Sequence, residues 1–417
     1  MQKKLLERFL RYSAIASQSK ASEKNVPSSL GQRILAELLK KELEELGLVD
    51  LEISEFSVLT GKLPANLPTN FNKKVAKVAW IAHLDTVDVN LSPIVKPKII
   101  HNYNGKDICL NEEKEIYFKV KEHPEVLKYK GQDIVFSDGT SVLGADDKAA
   151  IANIMVALET LVNNKNKYHG DIYVVFVPDE EVGLKGSKKI DFSKLPVDFA
   201  YTIDCCELGE VVYQTFNAGS GEIKIKGVSA HPMTAKGVLL NPTLLAVDFA
   251  NMFDRKQTPE CTEGTEGYIW VKSIESNQSD ATVILDIRDH DKNSYEKRKK
   301  TIIENVKILQ EKHPRAEINC TLTDVYGNIE DAITEENKGC IDYIYQAMDT
   351  LEIKPKTIAM RGGTDGSFVS TKGILTPNYF TGGLNFHSRF EFMPLLSVEK
   401  SCRLTLELMD LIYKNAK

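Results

Sequence analysis

Two segments near the N-terminus carry apolar residues at helical spacing. The spacing predicts one amphipathic helix from the N-terminus to about Ser17 and a second helix near Leu30–Leu46. Gly47 follows the second helix, and glycine readily adopts the left-handed conformation that ends helices. We expect both helices to contribute to packing rather than to catalysis.

The next segments alternate between short apolar runs and helical spacing. Runs rich in Val, Ile and Tyr predict strands buried on both faces, at Val75–Ala82, Asp171–Val177 and Phe199–Ile203. Between the first two runs, apolar residues recur at helical spacing from Ala149 to Leu161. Strands that alternate with helices favour an α/β fold in which helices flank the sheet.

The pattern changes from about Phe216 onward. A strictly alternating strand at 222–226 begins a series of elements in the order β-α-β-β-α-β, which is the order of a ferredoxin-like α+β domain. The elements that follow this strand are a helix over Pro242–Phe253, strands at Tyr268–Ile274 and Ala281–Arg288, a helix through Ile302–Leu309 and a strand at Ala316–Leu322.

After Tyr326 the chain is expected to return to the first domain. The predicted elements are a helix near Asn337–Leu351, strands near Thr357–Met360 and Thr376–Phe380, and a final helix from Ser397. The small domain is therefore expected to be an insertion over residues 215–325. Residues 1–214 and 326–417 would together form the larger domain.

Composition and charge exclude several classes of function. The chain has 417 residues, of which 42% are hydrophobic and 27% charged, as in packed globular proteins of two or three domains. Its net charge of −6 gives no general attraction for nucleic acid or anionic membranes, which need a clustered basic field. The apolar runs are also far shorter than the ~20 residues that span a bilayer.

The N-terminus and the cysteines favour a cytoplasmic protein. Glu7, Arg8 and Arg11 interrupt the first apolar segment, which a secretory signal would not do. The seven cysteines are an odd number, and none forms a Cys-x-x-Cys pair. A reducing cytosol is the simplest location for such a chain.

Polar residues follow the first predicted strand and open the next helix. His83 and Asp85 lie two residues apart and therefore point to the same side, so Asp85 could accept one ring N–H of His83 and leave the other nitrogen free for a metal. Asp146 and Asp147 begin the helix, where either could instead be an N-cap. In isolation the first pair also fits an ordinary strand end followed by a turn.

Three consecutive acids, Asp179, Glu180 and Glu181, follow the second strand. Open α/β sheets place their sites at the carboxyl ends of strands, and a divalent metal would offset the repulsion between these carboxylates. The side chains of adjacent glutamates diverge, so one can bind a metal while the other faces a bound water. A solvated acidic loop is the alternative.

The remaining candidates are Asp204, after the third strand, and His387, in a glycine-containing loop after the last strand. Cys205 and Cys206 follow Asp204 directly. Thiolates are good zinc ligands, but vicinal cysteines rarely chelate one ion and can equally be small buried hydrophobes. We expect Asp204 to bind a metal and the cysteines not to.

This mixture of His, Asp and Glu suits zinc or a related first-row divalent ion. A mononuclear catalytic zinc usually takes three protein ligands, so a larger set favours two metals, with one carboxylate bridging ions roughly 3.5–4 Å apart. The five candidate ligands are His83, Asp146, Glu181, Asp204 and His387.

In order and spacing, these residues resemble the motifs of the cocatalytic dizinc exopeptidases, which include carboxypeptidase G and succinyl-diaminopimelate desuccinylase. Within that superfamily the resemblance is strongest to bacterial tripeptide aminopeptidases, and it covers nearly the whole chain. It implies a zinc-exopeptidase catalytic domain, with a mixed sheet flanked by helices, and an inserted lid. The matching motifs are His83-x-Asp85, Gly144-Ala-Asp-Asp-Lys148, Asp179-Glu-Glu-Val-Gly183, Asp204, Arg361-Gly-Gly-Thr-Asp-Gly366 and His387.

The resemblance also implies a role for each ligand. Asp146 would bridge two zinc ions per subunit, or cobalt or manganese in their place. His83 and Asp204 would complete one site, and Glu181 and His387 the other. The Asp146–Asp147 peptide bond would be cis.

Two catalytic roles follow from the same resemblance, with Glu180 as general base and Asp85 as the residue that orients His83. His231 would stabilise the oxyanion. Glycines commonly follow the aspartate that corresponds to Asp204, and this chain has Cys205-Cys206 instead.

Substrate oxygens would be bound by Arg288 and Arg361, with help from Asn217. Interdomain salt bridges are the alternative for the two arginines. The expected activity is removal of the N-terminal residue from tripeptides. A dipeptidase, carboxypeptidase or N-deacylase on the same machinery is the alternative, and the oligomeric state stays open, with a homodimer as one option.

Overall fold

Eight α-helices and seventeen strands occur in the computed structural model, which describes residues 1–417. The helices are α1 Gln2–Ser13, α2 Leu30–Glu45, α3 Ala145–Val162, α4 Pro242–Ala250, α5 Lys292–Lys312, α6 Gly339–Thr350, α7 Asp365–Ser370 and α8 Leu395–Lys414. The strands are β1 Val49–Ile53, β2 Leu59–Leu63, β3 Val78–His83, β4 Pro97–Ile100, β5 Ile108–Asn111, β6 Ile116–Phe118, β7 Ile134–Ser137, β8 Ile172–Val177, β9 Phe199–Cys205, β10 Glu210–Gln214, β11 Asn217–Lys226, β12 Tyr268–Ser276, β13 Asp280–Asp289, β14 Glu317–Tyr326, β15 Lys356–Ala359, β16 Asn378–Phe380 and β17 Phe392–Pro394.

The larger unit is built on an eight-stranded mixed sheet. Its strand order is β1-β2-β8-β3-β9-β16-β10-β15. The four strands from β8 to β16 are parallel, whereas β2 and β10 pair with them in the antiparallel direction. Every residue of β3 and β8 is buried, as expected for strands covered on both faces. The carboxyl ends of the parallel strands therefore open at one edge of the sheet.

Helix α3 is the central helix of this unit. It packs against β3, α1 and α8, and most of its residues are buried, including Ile151, Ile154 and Leu158. A helix that is apolar around most of its surface has to be covered on several sides. Its N-terminus, at Ala145–Asp147, is thereby held firmly within the unit.

The smaller unit, Gln214–Ala332 with Ala359–Gly363, contains a four-stranded antiparallel sheet in the order β12-β13-β11-β14. Helices α4 and α5 pack on this sheet around a core that includes Ile223, Phe249 and Ile302. The alternation of apolar and polar residues along these strands thus places one face of the sheet on the core and the other face toward solvent. The fold class, an α/β unit with an inserted ferredoxin-like unit, is confirmed.

Several predicted boundaries differ from those observed. Helix α1 ends at Ser13 instead of Ser17, and the larger unit resumes at Ile333, seven residues after the expected 326. Arg361 belongs to the smaller unit because main-chain hydrogen bonds from Phe216 to Gly362 (3.1 Å) and from Met360 to Gln214 (2.9 Å) tie 359–363 to the segment that leads into β11.

The sequence patterns predicted no helix or strand between residues 85 and 143. In the structure this region contributes β4 and β7 to a three-stranded sheet with β17, and it forms the hairpin of β5 and β6. None of the helices combines the length and the apolar character that crossing a membrane requires.

Candidate metal centre

The loops at the carboxyl edge of the large sheet bring all five predicted ligands together. His83 ends β3, and Asp204 is the last residue but one of β9. Glu181 follows β8, and His387 lies in the loop after β16. Asp146 comes from the first turn of α3. The donor atoms form overlapping groups in which ligand atoms lie within 4.8 Å of one another.

The carboxylate of Asp146 connects two of these groups. Its Oδ1 lies 2.9 Å from Nε2 of His83, and its Oδ2 lies 3.1 Å from Nε2 of His387. Asp204 Oδ1 is 3.9 Å from the His83 nitrogen, and Glu181 Oε1 is 2.8 Å from the His387 nitrogen. Each oxygen of Asp146 therefore faces a separate set consisting of one histidine and one further carboxylate.

Asp147, which was not among the predicted ligands, also belongs to the group around His83. Its Oδ2 accepts the main-chain N–H of His83 at 3.2 Å, while its Oδ1 is buried without a hydrogen-bond partner. The Asp146–Asp147 peptide bond is cis, as the resemblance implied, and both residues have non-helical φ/ψ angles. Two adjacent acids at a helix start gave the only sequence signal for this arrangement.

Asp85 contacts the ring of His83 through its main chain and its carboxylate. Nδ1 of His83 lies 3.0 Å from the main-chain oxygen of Asp85 and 3.5 Å from its carboxylate. A carbonyl oxygen can only accept, so Nδ1 donates to it, and Nε2 is the ring nitrogen that faces Asp146. The structure thus adds a main-chain acceptor to the carboxylate that was predicted to orient the ring.

The carboxylate of Asp85 instead holds the acidic loop. It accepts the main-chain N–H groups of Glu180 at 3.0 Å and Glu181 at 3.2 Å. Asp179 anchors the same loop from the other side, because its carboxylate accepts the Ser28 N–H and the Gln32 side-chain amide, both at 2.7 Å. Asp179 is therefore a structural anchor, a role that its position in a run of acids did not reveal.

Burial and mutual repulsion determine the protonation of the centre. Burial, together with neighbouring carboxylates, raises the pKa of Glu180 and of Asp204 well above the usual range. Hydrogen bonds that His387 donates to the Asp146 and Glu181 carboxylates raise the pKa of His387 to about 11. Burial raises the pKa of Glu181 to about 7. The protein therefore supplies less positive charge than these carboxylates need.

The donor set fits divalent metal ions. Imidazole nitrogens and carboxylate oxygens are the ligands of first-row metals such as zinc. Asp147 Oδ1, buried and without a hydrogen-bond partner, is the kind of atom that a nearby cation would satisfy. Cys205 and Cys206 carry free thiols and belong to none of the donor groups, in agreement with the choice of Asp204 over them.

The four predicted substrate-binding residues all lie in the smaller unit. Asn217 is buried, donates to the His290 carbonyl at 3.2 Å and accepts from the Asn328 N–H. Arg288 donates to the Gly219 carbonyl at 2.9 Å. His231 is exposed and caps a short 3-10 helix after β11.

Arg361 donates to Gly264, Glu266 and Thr262 and stacks on the rings of Phe216 and Tyr268. The polar partners found for Arg288 and Arg361 lie within the smaller unit. The structure therefore gives no support to interdomain salt bridges.

Two carboxylates at the centre were missed by sequence reasoning. Glu391 is buried and accepts three main-chain N–H groups at the start of α3. Asp365 begins α7, is buried, and acts electrostatically on Glu180 and Asp204. Glu391 lies only four residues after His387, and this closeness to a predicted ligand was the one feature of the sequence that pointed to it.

Two family models match the chain. The model of peptidase family M20/M25/M40 matches residues 143–410, and the model of peptidase family M28 matches residues 66–198. The first match includes every predicted ligand except His83.

Curated relatives match over nearly their full length. A peptidase T-like protein of Yersinia pestis is 50% identical over 405 residues, which are 97% of both chains. A peptidase T-like protein of Rhizobium meliloti is 47% identical over 99% of this chain and 98% of the relative. Peptidase T of Fusobacterium nucleatum is 42% identical over 98% of this chain and 97% of the relative.

Solved structures show the same fold. Aminopeptidase PepT of Bacillus cereus has a TM-score of 0.75 at 19% identity, with 99% of each chain covered. A tripeptidase of Staphylococcus aureus has a TM-score of 0.74 at 22% identity, with 100% of this chain and 99% of that chain covered. A dinuclear metal binding peptidase of Bacillus subtilis has a TM-score of 0.66 at 11% identity and covers 99% of this chain and 98% of its own.

Proposed function

Since the chain belongs to peptidase family M20/M25/M40, we propose that it is a metal-dependent aminopeptidase that removes the N-terminal residue from tripeptides. The observation that carries this proposal is the Asp146 carboxylate, which presents one oxygen to each of two His-containing groups. Glu180 lies next to Glu181, and one of its carboxylate oxygens lies within 4.8 Å of ligand atoms of His83 and Glu181, so the proposed base stands directly beside both groups.

The proposed cofactor is a pair of zinc ions, with cobalt or manganese as substitutes. His83, Asp146 and Asp204 would hold one ion, and Asp146, Glu181 and His387 the other. When bound, the metals would lower the pKa of a water molecule toward about 7 and polarise the scissile carbonyl. The matching peptidase of Bacillus subtilis is described as binding a dinuclear metal, which supports a pair.

The proposed base is Glu180. Two hydrogen bonds from the Glu180 and Glu181 main chain to Asp85 fix the direction in which the Glu180 side chain leaves the loop. Its carboxylate would take a proton from water and return it to the departing amine, which is general acid and base catalysis. Its raised pKa, caused by burial and nearby carboxylates, suits a group that must hold this proton briefly.

The proposed substrate class rests on the relatives and on the smaller unit. His231 would stabilise the oxyanion, and Arg288, Arg361 and Asn217 would bind peptide oxygens, for which a guanidinium fork is well suited. The two relatives with the highest identities quoted above are named peptidase T-like, not peptidase T. A dipeptidase, carboxypeptidase or N-deacylase is therefore the second candidate.

A substrate comparison tests this proposal. Purified protein loaded with zinc is assayed against Ala-Ala-Ala, Ala-Ala and N-acetylated Ala-Ala-Ala, and the products are separated by chromatography. We expect release of alanine and Ala-Ala from the free tripeptide, with the other two substrates cleaved far more slowly. Preference for the acetylated peptide would overturn the aminopeptidase proposal, and preference for Ala-Ala would indicate a dipeptidase.

The proposed location is the cytoplasm, because all seven cysteines are unpaired in the structure and unpaired thiols persist in a reducing compartment.

A further inference from the structure

Glu391 is almost fully buried, with 1% of its surface exposed, and its carboxylate is surrounded by main-chain donors. Oε2 accepts the N–H groups of Leu143 at 2.7 Å and Gly144 at 2.8 Å, and Oε1 accepts the N–H of Asp146 at 3.1 Å. All three donors belong to the segment that presents Asp146 to the centre. One side chain therefore fixes the position of that segment.

The start of α3 needs an acceptor from outside the helix. The first N–H groups of a helix have no partner within it, and here Gly144 is left-handed while Asp146 and Asp147 are non-helical. No side chain at the N-cap position can satisfy these donors, because that residue is Gly144. The carboxylate of Glu391 accepts one of these donors, the N–H of Asp146, together with the N–H groups of Leu143 and Gly144 just before the helix, and it complements the positive end of the helix dipole.

The same residue belongs to the loop that carries His387. The N–H of Glu391 donates to the Ser388 carbonyl at 3.1 Å and closes a turn directly after His387. Phe392 follows and enters β17, which pairs with β7. A short path of bonds thus runs from the His387 main chain through this turn and the Glu391 carboxylate to Asp146.

The other metal-binding group is held differently. His83 and Asp204 belong to the neighbouring parallel strands β3 and β9, so the hydrogen bonds of the sheet fix their separation. His387 has a positive φ of 60° and a side chain that is 49% exposed, and it lies on a loop. The group with Glu181 and His387 therefore depends more on side-chain anchors.

We propose that Glu391 is a positioning residue that sets the distance between Asp146 and His387 and thereby the metal affinity of the Asp146–Glu181–His387 group. This inference rests on the proposed function, because it assumes the two-metal centre. It assigns Glu391 no contact with metal or substrate.

The experiment measures zinc binding by calorimetric titration of the metal-free protein and counts bound zinc by elemental analysis. Wild type is compared with Glu391→Gln, which keeps the shape but replaces one accepting oxygen with a donor. The matched control is Glu42→Gln, since Glu42 is also a buried carboxylate with three donors, Arg8, Arg11 and Tyr12, but lies between α1 and α2. Both variants are also melted to measure stability.

We expect wild type to bind two zinc ions and Glu391→Gln to bind one with unchanged affinity and the second about 10–100-fold more weakly, as for outer residues that orient metal ligands. Glu42→Gln should lose stability while both affinities stay unchanged. If Glu391→Gln folds poorly, Glu391→Asp, which retains the charge on a shorter side chain, should show the same selective loss.

Three results would overturn the inference. They are an unchanged second affinity in both Glu391 variants, an equal weakening of both sites, and the same selective loss in Glu42→Gln. A wild-type protein that binds fewer than two zinc ions would instead overturn the proposed two-metal centre, and the inference with it. A normal zinc count without peptide hydrolysis would contradict the proposed activity alone.

Discussion

Two buried clusters of charged side chains lie in the larger unit, and they differ in how their charge is balanced. Between α1, α2 and α3, Arg8 hydrogen-bonds to Glu42, to Tyr12 at 3.0 Å and to Glu159 at 3.2 Å. Arg11 and Lys4 add further cations, at 2.6 Å from Glu42 and Glu159 respectively. Here every carboxylate has a cationic partner.

At the candidate metal centre the balance is reversed. His83 and His387 face six converging carboxylates, which are Asp85, Asp146, Asp147, Glu180, Glu181 and Asp204. Lys148 interacts electrostatically with Asp85, but burial lowers the pKa of this lysine to about 7. Burying an unpaired charge is costly in either place. The first cluster is complete in the protein alone, whereas the second requires cations from outside, and this difference separates a structural cluster from a functional one.

The largest expected effect comes from Glu180→Ala. Removal of the proposed base should lower kcat by a factor of about 10²–10⁴ while both metals stay bound, because the other carboxylates form the ligand set. Steady-state kinetics and elemental analysis of the same sample check this. Normal turnover in the variant would show that another group moves the proton.

The next effect is a loss of folding stability when the cluster between α1, α2 and α3 loses Arg8. Arg8→Met should destabilise the protein by about 1.5–3 kcal/mol, because Glu42 and Glu159 each lose a charged hydrogen-bond partner but keep Arg11 and Lys4 respectively. Metal content and kcat should not change. Denaturant unfolding of the metal-loaded protein measures the difference, with Lys3→Met on the exposed side of α1 as control. A loss of zinc in Arg8→Met would contradict the independence of the clusters.

A smaller effect is expected at the anchor of the acidic loop. In Asp179→Asn one accepting oxygen becomes a donor facing Ser28 and Gln32, so the loop that carries Glu180 should shift. We expect kcat to fall about 10–100-fold with little change in KM or in zinc content. Asp191→Asn, at an exposed cap, is the control. Equal kinetics in the two variants would rule out the positioning role.

The smallest effect is the pH dependence of folding stability that Glu159 contributes. Burial alone would raise the pKa of Glu159, but hydrogen bonds from Lys4 and Arg8 outweigh it and hold the pKa below its usual range. The unfolded chain therefore binds this proton more readily than the folded protein. The contribution to stability is present above the unfolded pKa of about 4.3 and is lost as pH falls through the folded pKa.

Unfolding of wild type and Glu159→Gln between pH 3 and pH 7 tests this sign. The difference between their free energies of unfolding should be constant near pH 7 and should shrink at acidic pH. A difference that grows as the pH falls would contradict it.

The convergence of three candidate ligands could be predicted from the positions of the strands. His83, Glu181 and Asp204 stand at the ends of buried apolar runs, and parallel strands bring such ends to one edge. The main-chain acceptor of the His83 ring could not be predicted, because it depends on which atoms of Asp85 the turn presents to the ring. Local periodicity carries no information of that kind.

The anchors were unpredictable for a related reason. Glu391 and Asp179 act through hydrogen bonds to residues far away in sequence, so a position near a predicted ligand does not by itself distinguish an anchor from a solvated acid. The elements between 85 and 143 were missed because their strands are short and irregular, so their pattern does not repeat.

The chain path of the larger unit has a consequence for how the protein is made. Strand β16 lies inside the main sheet, between β9 and β10, although it comes from the last forty residues of the 417-residue chain. A growing chain therefore cannot close its sheet, and cannot bring His387 to Asp146, until β16 and the loop after it have been synthesised. Contacts between such distant segments also form slowly. A chain that terminates before β16 therefore lacks both this inner strand and His387.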